Sequence, residues 1–224
     1  MTDTLEHVAF DIETTGLDAA DEVTVVGFEL ELGCRVFYQT GGRDTDRADV
    51  VTAVQERTET RVEVSAHDSE RGLLEAVSGF VGERFRSADV LLVGYNGETW
   101  HGGFDLPFLR TRYAACDVAW PFEELPYADL LPIIRDLFNT TVDGDEVADL
   151  DAAYEILCGG AAGAVDPFDE SGEAVTAFEE ERFEAVILHN VADIRRTGAL
   201  SRLSQRYCSK SDFQLKSLTP TIHD

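Results

Sequence analysis

The sequence predicts an α/β fold, with a central five-stranded mixed sheet of order 3-2-1-4-5 flanked by helices. Three observations predict it. The N-terminal part carries three short apolar runs divided by turn residues, the pattern of an antiparallel meander. An amphipathic stretch then leads to a fourth apolar run, as in a right-handed crossover returning a strand parallel to the first. Beyond that point helical periodicity dominates.

Each element has its own justification. Val8, Ala9, Phe10 and Ile12 form strand one, stopped by Thr14, Thr15 and Gly16. Residues 22–30 and 34–39 read as strands two and three, with a turn near Leu32 and Gly33. Residues 41–68 are polar and weakly patterned, and read as a loop with some local structure. Leu73, Leu74, Val77, Phe80, Val81 and Phe85 recur at helical spacing and give the crossover helix. Residues 90–93 are strand four. Leu106, Phe108, Leu109 and Tyr113 mark the apolar side of the next helix, whose first turn suits Pro107. A short fifth strand covers residues 127–131, before a helix at 133–138 and another at 149–157. A glycine-rich stretch and the acidic loop 166–173 precede a long helix. Phe178, Phe183, Val186, Ile187, Ile194, Leu200 and Leu203 supply much of its apolar side. The expected organisation is one domain over residues 1–207 and a C-terminal tail over 208–224, with no internal repeat.

Two acids interrupt strand one. Asp11 and Glu13 are two residues apart, so both carboxylates leave the same side of the strand, about 7 Å apart along the backbone. Like charges beside an apolar strand are costly unless a cation neutralises them, and hard divalent ions such as Mg²⁺ or Mn²⁺ take oxygen ligands of this kind. A solvated acidic face on an edge strand is the plainer reading of the same pair.

The string Phe10-Asp-Ile-Glu-Thr-Thr-Gly-Leu17 resembles the first motif of the DEDD superfamily of 3′–5′ exonucleases, which have a ribonuclease H-like fold. The resemblance demands two more aspartates, one after a second core strand and one on a late helix. The segment from Asp89 to Asn96 is an apolar strand ending in Gly-Tyr-Asn, and Gly103-Phe-Asp-Leu-Pro-Phe-Leu-Arg110 follows. Asp105 falls at or just before a helix N-terminus, where a carboxylate is favoured, so it reads as a ligand or as a plain N-cap. The link from Gly97 to Gly103 is longer than the family pattern and contains Trp100 and His101; Trp100 could stack on a base or pack on its own loop. The third motif is Ile187-Leu-His-Asn-Val-Ala-Asp-Ile-Arg-Arg-Thr197. His189 and Asp193 are four residues apart and share a helix face, as partners in one site or as an exposed pair. Family subgroups place Tyr four residues, or His five, before the last Asp; this chain has His at the Tyr spacing.

Composition frames the reading. The chain has 224 residues, is 44% hydrophobic and has no apolar run of membrane-spanning length. Its N-terminus lacks signal-peptide character, and Cys34, Cys116, Cys158 and Cys208 are scattered, so a reducing cytoplasm is the expected compartment. The net charge is −26, opposite to the usual footprint of a nucleic-acid binder. The carboxylates are spread along the whole chain and the cations are 16 Arg but only 2 Lys, a halophile-type composition. In multimolar salt, charge repulsion would reach only about 3 Å or less. A low-salt acidic protein with a basic partner is the alternative. From Ile194 to Ser217 the sign reverses, with Arg195, Arg196, Arg202, Arg206, Lys210 and Lys216 against Asp212 alone. That run is either complementary to a helix C-terminus or a phosphate track leading away from Asp193.

The resemblance implies a metal-dependent 3′–5′ exonuclease acting on single-stranded DNA or RNA with a free 3′ end and releasing nucleoside 5′-monophosphates. It implies two divalent ions, Mg²⁺ or Mn²⁺, on Asp11, Glu13, Asp105 and Asp193, with His189 orienting or deprotonating the attacking water. It also implies that Thr14, Thr15 and Leu17 meet the terminal nucleotide, with Leu17 as an apolar wedge, and Asn96, Trp100, Arg195 and Arg196 extend the expected substrate surface. No polymerase or helicase region accompanies the motifs, so the expectation is a stand-alone enzyme or one subunit whose partner supplies that function. A catalytically weak binding module and a ribonuclease H-like endonuclease are the alternatives.

Overall fold

Strand alternation divides the molecule into two layers. In β1 (Glu6–Thr14), Val8, Phe10 and Ile12 enter one apolar layer, while Ala9, Asp11 and Glu13 turn to the opposite face. The computed structural model describes residues 5–85, 89–98 and 103–222. After β1 come β2 (Val23–Leu30), β3 (Gly33–Gln39), α1 (Arg47–Arg57), β4 (Val62–His67), α2 (Glu70–Arg84) and β5 (Val90–Gly94). The chain continues through α3 (Asp105–Cys116), β6 (Pro126–Asp129), α4 (Leu130–Leu137), a small hairpin of β7 (Thr141–Val142) and β8 (Asp145–Glu146), and α5 (Leu150–Leu157). It ends with α6 (Glu173–Glu179), α7 (Phe183–Tyr207) and β9 (Lys216–Ser217).

The fold is α/β, with a mixed central sheet of seven strands in the order β4-β3-β2-β1-β5-β6-β9. β1 pairs antiparallel with β2 and parallel with β5, so it is central and hydrogen-bonded on both sides. Leu73, Leu74 and Val77 of α2 and Leu106 and Leu109 of α3 cover Val8, Phe10 and Ile12. The other face lies under α7, whose Val186, Ile187 and Val191 pack on Val25, Val36 and Tyr38. Further along, Leu200 joins Leu91, Val93 and Ile134. The helix runs antiparallel to β1: Asn190 meets Asp11 and Ser201 meets His7. Between those contacts the helix rises about 16 Å and the strand about 13 Å, so the two stay in register along their length.

The structure corrects two expectations. The sheet has seven strands rather than five. Residues 41–68 are not mainly loop, because they form α1 and β4. Asp46 caps α1 by accepting the N–H groups of Ala48 and Asp49, and the helix buries only Val50 and Val54. β4 runs parallel to β3 at the sheet edge and buries only Val62. An edge strand held by its ladder and half exposed needs little apolar patterning. The second added strand, β9, pairs with β6 at the other edge, and Phe213 and Leu218 beside it are buried. The segment expected as a tail after residue 207 is thus packed on the body. Among the described residues, no helix is long and apolar enough to cross a membrane.

Candidate metal centre

The site begins at the C-terminal end of β1. Asp11 lies opposite Gly27 of β2, and Asn190 of α7 donates from Nδ2 to Asp11 Oδ2 at 2.9 Å. A Cβ at Gly27 would overlap Asn190 Oδ1, so the missing side chain is what lets the helix approach the strand here. Two residues on, just past Glu13, the ladder bulges: Glu13 pairs with Val25 but Thr14 with Val23, leaving Thr24 as an extra residue on β2. Bulges re-aim side chains at the ends of pairing, and this one lies beside Glu13.

Helix α7 supplies the second wall. His189 and Asp193 are both turned inward, with His189 only 4% exposed, so they are not a solvated surface pair. His189 Nε2 lies 3.8 Å from Asp193 Oδ2, and its Nδ1 lies 2.8 Å from Asp166 Oδ1. Arg196 Nη1 donates to Asp193 Oδ1 at 2.6 Å and to Asp166 Oδ2 at 2.8 Å, and lies 2.9 Å from Asp151 Oδ1. Gly163 makes room for this guanidinium, since a Cβ there would come within 2.6 Å of Nη2.

The third wall is the start of α3. Asp105 is the first helical residue rather than the N-cap, which is Phe104, and its side chain is buried. Gly97 permits that placement, because a Cβ there would lie 2.9 Å from Asp105 Oδ2. Asn96, with φ of 58°, sits at the end of β5; its N–H donates to Asp129 Oδ1, and its carbonyl accepts the N–H of Phe104. The same Asp129 oxygen caps α4 through the N–H of Leu131.

Electrostatics link the four acids. Burial raises Asp11 well above the ordinary carboxylate range, and the charges of Asp105 and Asp193 push it further. Glu13 is raised by burial and by Asp11, against the pull of His189. Asp105 is raised by burial and then by Glu13, Asp129 and Asp193. Asp193 is raised by burial despite the opposing pull of His189 and Arg196. His189 moves the other way. Burial opposes its charge, but the hydrogen bond to Asp166 and the charges of Glu13 and Asp193 outweigh that and lift it to about 10. Carboxylates crowded until they favour protons are carboxylates that a cation would relieve.

Glu13, His189 and Asp193 each offer a donor atom within 4.8 Å of the others, close enough to hold one metal ion. Glu13 Oε1 is buried and has no hydrogen-bond partner among the described residues, so the site contains an unsatisfied acceptor. The donor set is oxygen-rich with one imidazole, which suits a hard or borderline divalent ion.

The remaining expected residues divide. Thr14 Oγ1 donates to the carbonyl of Gly16, and Thr15 Oγ1 bonds Asp21 Oδ1 and accepts the N–H of Glu22, so both hydroxyls shape the turn after β1. Leu17 stands 67% exposed on that turn. Trp100 lies outside the described residues. Arg196 is no part of an open phosphate track, because it is buried against three aspartates that hold its charge inward. The charge of Arg195 bears on Glu29 and Cys34, and Arg202 pairs with Glu29 at 2.9 Å. Lys216 pairs with Glu98. Three contributors were missed. Asn190 carried a signal, an amide inside an apolar helical stretch beside His189. Asp166 is one of four acids in an eight-residue loop, and nothing in the sequence separates it from its neighbours. Asp129 was absorbed into a short strand. Compared with known proteins, no family model matches the chain and no curated protein matches its sequence.

Proposed function

We propose that the protein is a metal-dependent 3′–5′ exonuclease that removes nucleoside 5′-monophosphates from the free 3′ end of single-stranded DNA or RNA. The observation that carries this reading is that Glu13 of β1 and His189 and Asp193 of α7 bring donor atoms within 4.8 Å of one another; Asp11 and Asp105 lie outside that group, but their charges bear on the same site. The motif order supports it, since Asp11, Glu13, Asp105 and Asp193 are the four acids of the DEDD resemblance. We read the sheet as ribonuclease H-like on the same grounds: a central β1 that starts the antiparallel meander β1-β2-β3 on one side and has parallel β5 and β6 on the other.

In this reading Asp11, Glu13, Asp105 and Asp193 would hold two divalent ions, Mg²⁺ or Mn²⁺, whose chemistry would be to lower the pKa of a water and to offset negative charge on the leaving group. The protein's share is positioning. His189 Nε2 faces the Glu13–Asp193 side; as the imidazolium its carboxylate neighbours favour, it would orient the water, and it would serve as a base only once the charge of bound ions had displaced its proton. Asn190 fixes Asp11, while the turn bearing Leu17 presents an apolar edge to the terminal nucleotide.

One observation favours a second reading, a catalytically weak module that binds nucleic acid or a protein. Asp193 already has Arg196 as a partner, and His189 is fixed by Asp166. Single strands labelled at either end, incubated with and without Mn²⁺, separate the two. A ladder shortening from the 3′ end only with Mn²⁺, and lost in Asp11→Asn and in Asp193→Asn while the circular dichroism spectrum is kept, supports the exonuclease. No cleavage favours the module, internal cuts point to an endonuclease, and full activity in either variant overturns the assignment.

A further inference from the structure

Both oxygens of Asp166 are committed. One accepts from His189 Nδ1 at 2.8 Å and the other from Arg196 Nη1 at 2.8 Å. Arg196 passes the connection on, donating from the same nitrogen to Asp193 Oδ1 at 2.6 Å. The two residues that α7 turns toward Glu13 are therefore each held from behind by a member of one ion pair. The effect on Asp193 is directional, because Oδ1 is taken and Oδ2 faces the imidazole. His189 is directed likewise, with Nδ1 engaged and Nε2 facing the carboxylates. Asp166 and Arg196 are themselves buried, their side chains 5% and 9% exposed. Gly163 clears the space that the guanidinium occupies.

We propose that Asp166 and Arg196 form a single positioning pair that aims His189 Nε2 and Asp193 Oδ2 into the cluster, and that divalent-ion affinity there depends on the pair. The inference rests on the metal-centre reading. Partners standing behind a ligand fix its orientation, and their loss typically costs about 10–100-fold in metal affinity. The opposite effect, Arg196 as a competitor for Asp193, would show as tighter binding once it is removed. The geometry argues for positioning, since the guanidinium takes the oxygen turned away from His189 and leaves the other available.

Titration calorimetry with MnCl₂ on the full chain, at a temperature where every variant is folded, tests the proposal. Asp166→Asn and Arg196→Gln are each expected to weaken binding about 10-fold or more. The double variant is expected to be no weaker than the worse single, because the two act as a unit. Asp151→Asn, which alters the exposed third partner of Arg196, is expected to bind within about twofold of the parent. A purely structural role would lower the melting temperature in EDTA and leave the affinity of the folded protein unchanged. If the single variants fail to fold because a buried charge is stranded, the double variant, which removes both charges, decides alone. Affinity kept within twofold, or increased, in the folded variants overturns the pair's role. Absence of Mn²⁺ binding by the parent, or parent-like binding by Asp11→Asn, instead overturns the metal-centre reading.

Discussion

Gly27 faces Asp11 across the β1–β2 ladder, and the side chain of Asn190 occupies the space that a Cβ would take. Gly27→Ala is therefore expected to cost about 1–3 kcal/mol, as overpacking of a close interface does. Urea unfolding measures it, and a midpoint equal to the parent's would mean that α7 can move aside freely. The case also shows which parts of the site were legible in the sequence. Asp11, Glu13, Asp105, His189 and Asp193 stood in recognisable strings because each is tied to a local backbone pattern. Asp166 and Asp129 did not, since their roles come from long-range contacts that no local pattern encodes. The basic run from Arg195 to Lys216 puts Arg196 on an expected substrate surface, whereas three aspartates from α5, the following loop and α7 draw it inward.

Between elements, the turn after β1 is tied down by the buried ion pair of Glu70, at the start of α2, with Arg112 of α3. The guanidinium bonds both carboxylate oxygens, at 2.8 and 2.7 Å, and also donates to the carbonyl of Ala19. Glu70 accepts the N–H of Val23 as well, so the pair anchors two helices and both the turn after β1 and the start of β2. Replacing one partner, as in Arg112→Met, strands a buried charge and is expected to cost about 3–5 kcal/mol by urea unfolding. Glu70→Met/Arg112→Met, which removes both charges, is expected to recover most of that loss; a double variant as unstable as the single would show that the turn anchors matter more than the charge. Legibility at this scale followed burial. The crossover helix α2 and the long α7 announced themselves through apolar residues at helical spacing. By contrast, α1, β4 and β9 bury too few side chains to leave a period, and they are held by capping, ladder bonds and position at the sheet edges.

The whole molecule carries 44 acidic side chains against 18 Lys and Arg, and two of those cations, Arg112 and Arg196, are spent inside. Repulsion among the surplus carboxylates opposes the compact state at low ionic strength. The melting temperature is expected to rise as KCl increases from about 0.1 to 1 M, while the Debye length contracts from about 10 to about 3 Å. A flat profile in differential scanning calorimetry would remove the high-salt interpretation of the composition. Total charge revealed the surface but not the interior, where acids gather beside Arg196 and His189. The extra residue at Thr24 has a consequence for the entire assembly. A plain two-stranded ribbon can creep by one position and still pair, but a kink allotted to a single spot makes any such shift misfit. A slipped β1 would carry two carboxylates into the oily layer beneath α2 and swap Phe10 onto the face under α7. The bulge thus acts as a keyway, admitting one alignment of the sheet and refusing its nearest neighbour.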